Sequence, residues 1–165
     1  MKNSSINILI VAMILFALLS IMLSVFLEEA HDEFKETVTV TEGGVTEETL
    51  TVRGLSLVPG QSQDYEIGLR CMASGSYYIS FEFVEKVDGG MKEFVYLTIT
   101  SGDESVYSGE LAPLLDTGVR IGFDGYLDAD DPLTIKITYK MPIEIGNEAR
   151  NTFADFDVNL KIEKS

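Results

Sequence analysis

The chain has 165 residues, 45% of them hydrophobic, and carries 12 Lys and Arg against 27 Asp and Glu, a formal net charge of −15. So acidic a balance excludes nucleic acid, whose phosphates are held by clustered cations that release counterions, and disfavours a domain lying flat on anionic lipid. The one cysteine, Cys71, cannot form an intrachain disulfide, so the fold must stand on packing alone.

From Ile6 to Leu27 the chain contains no Asp, Glu, Lys or Arg and is apolar on every side of a helix. Its 22 residues would span ~33 Å, against a hydrocarbon core of about 30 Å. Fifteen of them are Leu, Ile, Phe or Val. These contribute roughly −5 to −9 kcal/mol to insertion before Asn7, Ser20 and Ser24 are set against them. The stretch is longer than a signal-peptide core, and Leu27-Glu28-Glu29-Ala30-His31 offers no small-x-small cleavage site. Residues 1–27 are therefore predicted to be an uncleaved signal-anchor, a single transmembrane helix whose partner is the lipid bilayer. Cleavage would instead release a secreted protein. Lys2 and Lys35 nearly balance, so the domain is placed outside the cytoplasm by the short N-terminal tail and the folded acidic domain behind the helix. A pilin-type filament is not expected, since the Gly-Phe cut site and buried Glu of such helices are missing.

Residues 28–36 read as a charged connector. From residue 37 the period changes to two, the mark of half-buried strands. Weak runs at Thr37–Thr41 and Thr49–Arg53 come first. Tyr65, Ile67, Leu69 and Cys71 then alternate with Glu66, Gly68 and Arg70; Tyr77, Ile79, Phe81 and Phe83 form the next apolar face; Val95, Leu97 and Ile99 another. A weak run at Gly118–Phe123 precedes the two clearest, Leu133–Met141 and the stretch holding Phe156, Val158, Leu160 and Ile162. Gly43-Gly44, Pro59-Gly60, Gly75, Asp88-Gly89-Gly90, Gly102-Asp103 and Gly125 punctuate them, a pattern that predicts hairpins rather than parallel crossovers. The expected fold is all-β, an Ig-like or jelly-roll two-sheet sandwich over residues 37–165, preceded by the single transmembrane helix.

Chemistry is sparse. His31 is the sole histidine, which excludes sites needing two, and its neighbours Glu28, Glu29, Asp32 and Glu33 favour the charged ring, the wrong state for a general base. Cys71 falls on an inward strand face, where a thiol behaves as a small inert hydrophobe. Asp124, Asp128, Asp130 and Asp131 form one acidic cluster that could supply oxygens to calcium, although its spacing is not that of an EF-hand and Asp before a strand more often caps a turn. Tyr77, Tyr78, Tyr96, Tyr107 and Tyr126 could form a sugar-stacking surface, or could simply be strand residues selected for packing. No catalytic, cofactor-binding or metal-ligating residue is singled out, and no cofactor is expected.

Two stretches resemble the family of camelysin and the TasA biofilm-fibre proteins, exported β-sandwiches of Gram-positive bacteria. One is Leu57-Val58-Pro59-Gly60-Gln61-Ser62 leading into the Tyr65 strand. The other is Ile135–Met141, Pro142, Gly146-Asn147-Glu148-Ala149 and Phe153–Ile162. The resemblance implies an exported sandwich closed by a strand, a Gly-Asn turn and a last strand. The chain departs from the family pattern at Glu28–Phe34 and at Arg150, and it lacks residues for the zinc protease activity once attached to camelysin. Together these features predict a non-enzymatic, membrane-tethered extracytoplasmic sandwich with a structural or binding role. Strand edges such as Thr37–Thr41 would be available for self-association. The alternatives are a calcium- or glycan-binding adhesion module and a secreted matrix-fibre subunit.

Overall fold

The computed structural model of the chain describes residues 34–41 and 44–165. The predicted signal-anchor at 1–27, His31 and most of the connector lie outside these residues. Among the described residues no helix is long and apolar enough to cross a membrane.

Among the described residues nine strands form two sheets: β1 (Phe34–Val40), β2 (Thr46–Leu55), β3 (Ser62–Cys71), β4 (Gly75–Gly89), β5 (Tyr96–Ser101), β6 (Glu104–Glu110), β7 (Arg120–Leu127), β8 (Leu133–Lys140) and β9 (Phe153–Lys164). One sheet has the order β1-β3-β8-β5-β6 and the other β2-β9-β4-β7. Pairs β2–β9, β3–β8, β4–β7 and β5–β6 are nested one inside the next, antiparallel throughout. That is the strand order of a jelly roll, with β1 added outside β3. The all-β sandwich is as expected, and the nested order selects the jelly roll over the Ig-like arrangement.

Three expectations are corrected. Only β5 and β6, joined at Gly102-Asp103, are consecutive strands paired in one sheet; every other connection crosses between sheets. Turn residues reveal that a chain reverses but not which sheet it enters, and here most turns join strands of different sheets. Second, β1 runs parallel to β3, with Phe34 opposite Tyr65 and Val40 opposite Cys71. Strand β1 begins at Phe34, so Phe34–Glu36 belong to the sandwich rather than the connector, and the compact unit spans Glu33–Ser165. Third, Asp88 and Gly89 are not a turn. They extend β4, with Gly89 opposite Phe153, and the chain turns only at Gly90 (φ 81°) into a 3₁₀ turn at Met91–Phe94.

The core lies between the sheets and is built from the alternating apolar positions. Tyr77, Ile79, Phe81 and Phe83 of β4 and Phe156, Val158, Leu160 and Ile162 of β9 face Ile67, Leu69, Leu97, Ile99, Ile135, Ile137 and Tyr139 of the other sheet. Tyr139 and Phe156 meet across it with ring centroids 5.6 Å apart, and Phe156 reaches Phe83 at 6.3 Å. Cys71 is buried among these residues. A six-residue helix, α1 (Ala112–Thr117), covers one opening of the sandwich with Leu114 and Leu115 and ends on Gly118 in the left-handed conformation that glycine adopts freely (φ 62°).

Candidate functional site

The outer face of the four-stranded sheet follows from the same alternation. Residues one step out of phase with the core on β2, β9, β4 and β7 stand side by side in rows. One row reads Glu47, Lys161, Ser80, Gly122; the next reads Thr49, Asn159, Glu82, Arg120. A polar depression of about 260 Å³ lies around the small side chain of Ser80, lined also by Glu47, Thr49, Glu82, Arg120 and Asn159 among others. Ser80 is only 5% exposed, and its hydroxyl reaches just one acceptor, Lys161 O, at 3.5 Å. Thr49 Oγ1 donates to Asn159 Oδ1 at 3.0 Å, and Arg120 Nη2 donates to Glu82 Oε2 at 3.3 Å.

Beside the depression lie two tyrosines. Tyr78 stands opposite Asp124, and its ring extends over Gly122 so closely that a Cβ there would collide with the hydroxyl and Cζ. Glycine is what lets the phenol lie across β7, an aromatic ring covering a glycine on the neighbouring strand. Tyr126, opposite Ser76, lies on the same face, on the other side of Asp124 from Gly122. Tyr78 is 42% and Tyr126 64% exposed.

The five tyrosines of the predicted sugar-stacking surface are thus divided. Tyr77 is in the core and donates to Ala73 O at 2.8 Å. Tyr96 is exposed on the opposite sheet, and Tyr107 folds over Gly109 on β6, donating to Glu110 O at 3.2 Å. Only Tyr78 and Tyr126 share a face.

The acidic cluster does not form a cation site. Asp124 belongs to β7, whereas Asp128, Asp130 and Asp131 lie in the following loop. Asp128 Oδ1 accepts from Ser74 Oγ at 3.2 Å and from Asp130 N at 3.0 Å, the turn-capping role of an Asx residue. Among the described residues no group of three or more acidic, His or Cys side chains is placed to hold a metal ion. The calcium reading is corrected on this geometry: the acids serve the turn and the strand face separately.

Sequence reasoning missed Lys92. This lysine, on the 3₁₀ turn, is 7% exposed, with Nζ 2.8 Å from Asp116 Oδ1, 3.0 Å from Glu85 Oε1 and 3.2 Å from Asp88 Oδ2. The contact with Glu85 is an ion pair rather than a well-directed hydrogen bond. Asp116 first, then Glu85 and Asp88, hold the lysine charged far above its ordinary range, and burial opposes them without prevailing. Asp88 is held below the usual carboxylate value by the Gly90 N–H and then by Lys92. The cluster ties β4, the 3₁₀ turn and α1 together. A lysine kept protonated is no nucleophile or base.

No family model and no curated protein sequence matches this chain. Several solved structures align with this chain at 11–16% identity. The CUB1-EGF-CUB2 domains of rat MASP-1 align at 12% identity and a TM-score of 0.39, covering 77% of this chain and 42% of that one. The C-terminal CBM6 of LamC, a marine laminarinase from Zobellia galactanivorans, aligns at 12% and 0.35, covering 73% and 100%. PliG of Aeromonas hydrophila, a periplasmic inhibitor of g-type lysozyme, aligns at 11% and 0.32, covering 78% and 99%. Likeness at this level carries no argument about function, and none of the three belongs to the camelysin and TasA family.

Proposed function

We propose that the chain is a non-catalytic binding module, held at the outer side of a membrane by residues 1–27 and presenting the outer face of its four-stranded sheet to a ligand. The observation that carries the binding role is that face: a polar depression beside two exposed tyrosines, mounted on paired strands. Rigid elements holding convergent polar groups next to aromatic surface are the usual makeup of a recognition site. Lys92, held charged by its carboxylates, is left without a role as base or nucleophile. Tethering is supported by the 22-residue run free of charge from Ile6 to Leu27. The resemblance to camelysin and TasA points the same way, to an exported sandwich.

The test is fractionation of cells expressing the full chain with a C-terminal tag. Protein that stays in alkali-washed membranes at its unprocessed mass, and loses its tag to protease added to intact cells, bears out the proposal. Full-length protein in the soluble cytosolic fraction refutes it. Protein of reduced mass in the medium would favour the secreted-subunit alternative. Among the described residues β1 is an edge strand of the five-stranded sheet, the place where a second copy could add a strand.

A further inference from the structure

We propose that the outer face of the four-stranded sheet binds a neutral, β-linked glycan chain of gluco-configured sugars, stacked on Tyr78 and Tyr126 and hydrogen-bonded by Ser80, Glu82, Asn159 and Arg120; this rests on the binding reading above and names its ligand class. Four observations converge. The first is the posture of Tyr78: because Gly122 lacks a Cβ, the ring extends across the neighbouring strand, leaving 42% of the residue open to solvent as a fixed platform. An all-equatorial pyranose presents a flat face of axial C–H bonds, and such a face is complementary to the electron-rich face of an aromatic ring. Tyr126, further along β7 on the same face and 64% exposed, offers a second, separate aromatic surface that only an extended chain could reach together with Tyr78.

The second observation is the depression itself, about 260 Å³, too small for an elongated apolar ligand and suited to a single sugar ring. Its floor carries Ser80, a 5% exposed hydroxyl whose one hydrogen bond is stretched to 3.5 Å and can be exchanged for a better one. Third, the lining groups are planar and paired: Arg120 donates to Glu82 and Thr49 to Asn159, which sets acceptors and donors side by side as vicinal hydroxyls require. The fourth is charge. Glu47, Asp124 and Glu163 stand on the face, its cations Lys161 and Arg120 are paired with Glu163 and Glu82, and the chain carries a net charge of −15, so uronate or sulfated chains would be disfavoured.

The test uses the full chain in a detergent without a sugar headgroup, titrated by calorimetry with cellohexaose, laminarihexaose and chitohexaose, and with polygalacturonate as the acidic comparison. At least one neutral hexaose should bind. Tyr78→Ala and Tyr126→Ala should each weaken it about tenfold, while Tyr78→Phe, which keeps the ring, and Tyr96→Ala, on the opposite sheet, should leave it within about twofold. Circular dichroism of each variant separates lost binding from lost folding, and Tyr78→Phe keeps the comparison meaningful if Tyr78→Ala unfolds. No binding of any neutral hexaose, equal binding of polygalacturonate, or equal loss with Tyr96→Ala overturns the proposal. If the hexaoses fail but Tyr78→Ala still removes binding of the protein to intact cells, the face stands and the ligand class falls. If cell binding also survives, both fall.

Discussion

Replacing Lys92 by Met keeps the length of the side chain and removes its charge. Removing one partner from a fully buried ionic cluster costs ~3–5 kcal/mol. Here the ammonium is capped by its carboxylates rather than set deep in the core. Lys92 is 8% exposed at its side chain, but Glu85 is 27%, Asp88 49% and Asp116 53% exposed. Water therefore screens much of the carboxylate repulsion that remains, and the expected loss is about 2 kcal/mol. Over Glu33–Ser165, about 130 residues at ~2.1 cal/mol/K each, that corresponds to a fall in Tm of about 7 °C. The pH dependence follows from the directions of the shifts. Lys92 is raised, so its contribution is complete below the ordinary lysine range and lost only as pH rises through the folded value. Asp88 is lowered, so its contribution is present above the usual carboxylate value and lost as pH falls through the folded one. Thermal melts of wild type and Lys92→Met should differ by the full amount from pH 6 to 9 and converge towards pH 3. A gap below about 2 °C at neutral pH, or one that does not shrink in acid, refutes the electrostatic account of the cluster.

Tyr139→Phe should be neutral or stabilising by up to about 1 kcal/mol in urea unfolding, because the buried hydroxyl it removes has no hydrogen-bond partner. Alkaline titration followed by tyrosinate absorbance should show that phenol ionising only with unfolding, since burial raises it. Gly89→Ala should cost about 1–3 kcal/mol, as the new methyl would meet the Phe153 carbonyl and ring carbons at 2.7 and 2.8 Å. Gly68→Ala, whose nearest neighbours are 3.8 Å away, should stay within about 1 kcal/mol of wild type by the same melts. Wild-type stability should decline below about pH 4 as Asp157, held low chiefly by Lys86 and then by Thr51, takes up a proton, and Asp157→Asn should flatten that limb.

The core was legible because period-two alternation is a direct statement about which face is buried. Phe156, Val158, Leu160 and Ile162 are all 1% exposed or less, and Leu133–Met141 places Ile135, Ile137, Tyr139 and Met141 inward as read. Alternation cannot say which sheet a strand joins, so the nested pairing and the parallel β1 were invisible. The tail of β4 was hidden by Asp88-Gly89-Gly90, where a turn-like sequence continues as strand because Gly89 lets Phe153 pack against it. Helix α1 did leave a signal, Pro113 in its first turn and Gly118 at its end, but six residues are too few to show a helical period. The candidate face was half visible. Tyr78 and Tyr126 were among the aromatics noticed, yet their sharing a face depends on the β4–β7 register, which no local pattern encodes. Lys92 was unreadable, because its carboxylates come from positions 85, 88 and 116 and meet only after the sandwich closes.

The topology also assigns different freedom to different parts of the face. Strands β4 and β9 are interior in their sheet, paired on both sides, and carry Ser80, Glu82, Tyr78 and Asn159. Strand β7 is an edge, paired only with β4, and carries Arg120, Gly122 and Tyr126. Groups on doubly paired backbone are preorganised and lose little on binding, whereas those on an edge can shift to accommodate a ligand. Among the polar groups of this face, affinity should therefore depend on Ser80, Glu82 and Asn159 of β4 and β9, and selectivity among ligands on Arg120 of β7. Meanwhile the chain enters the sandwich at Phe34 beside Tyr65, in the five-stranded sheet. Entry point and candidate face thus belong to opposite layers, separated by the core.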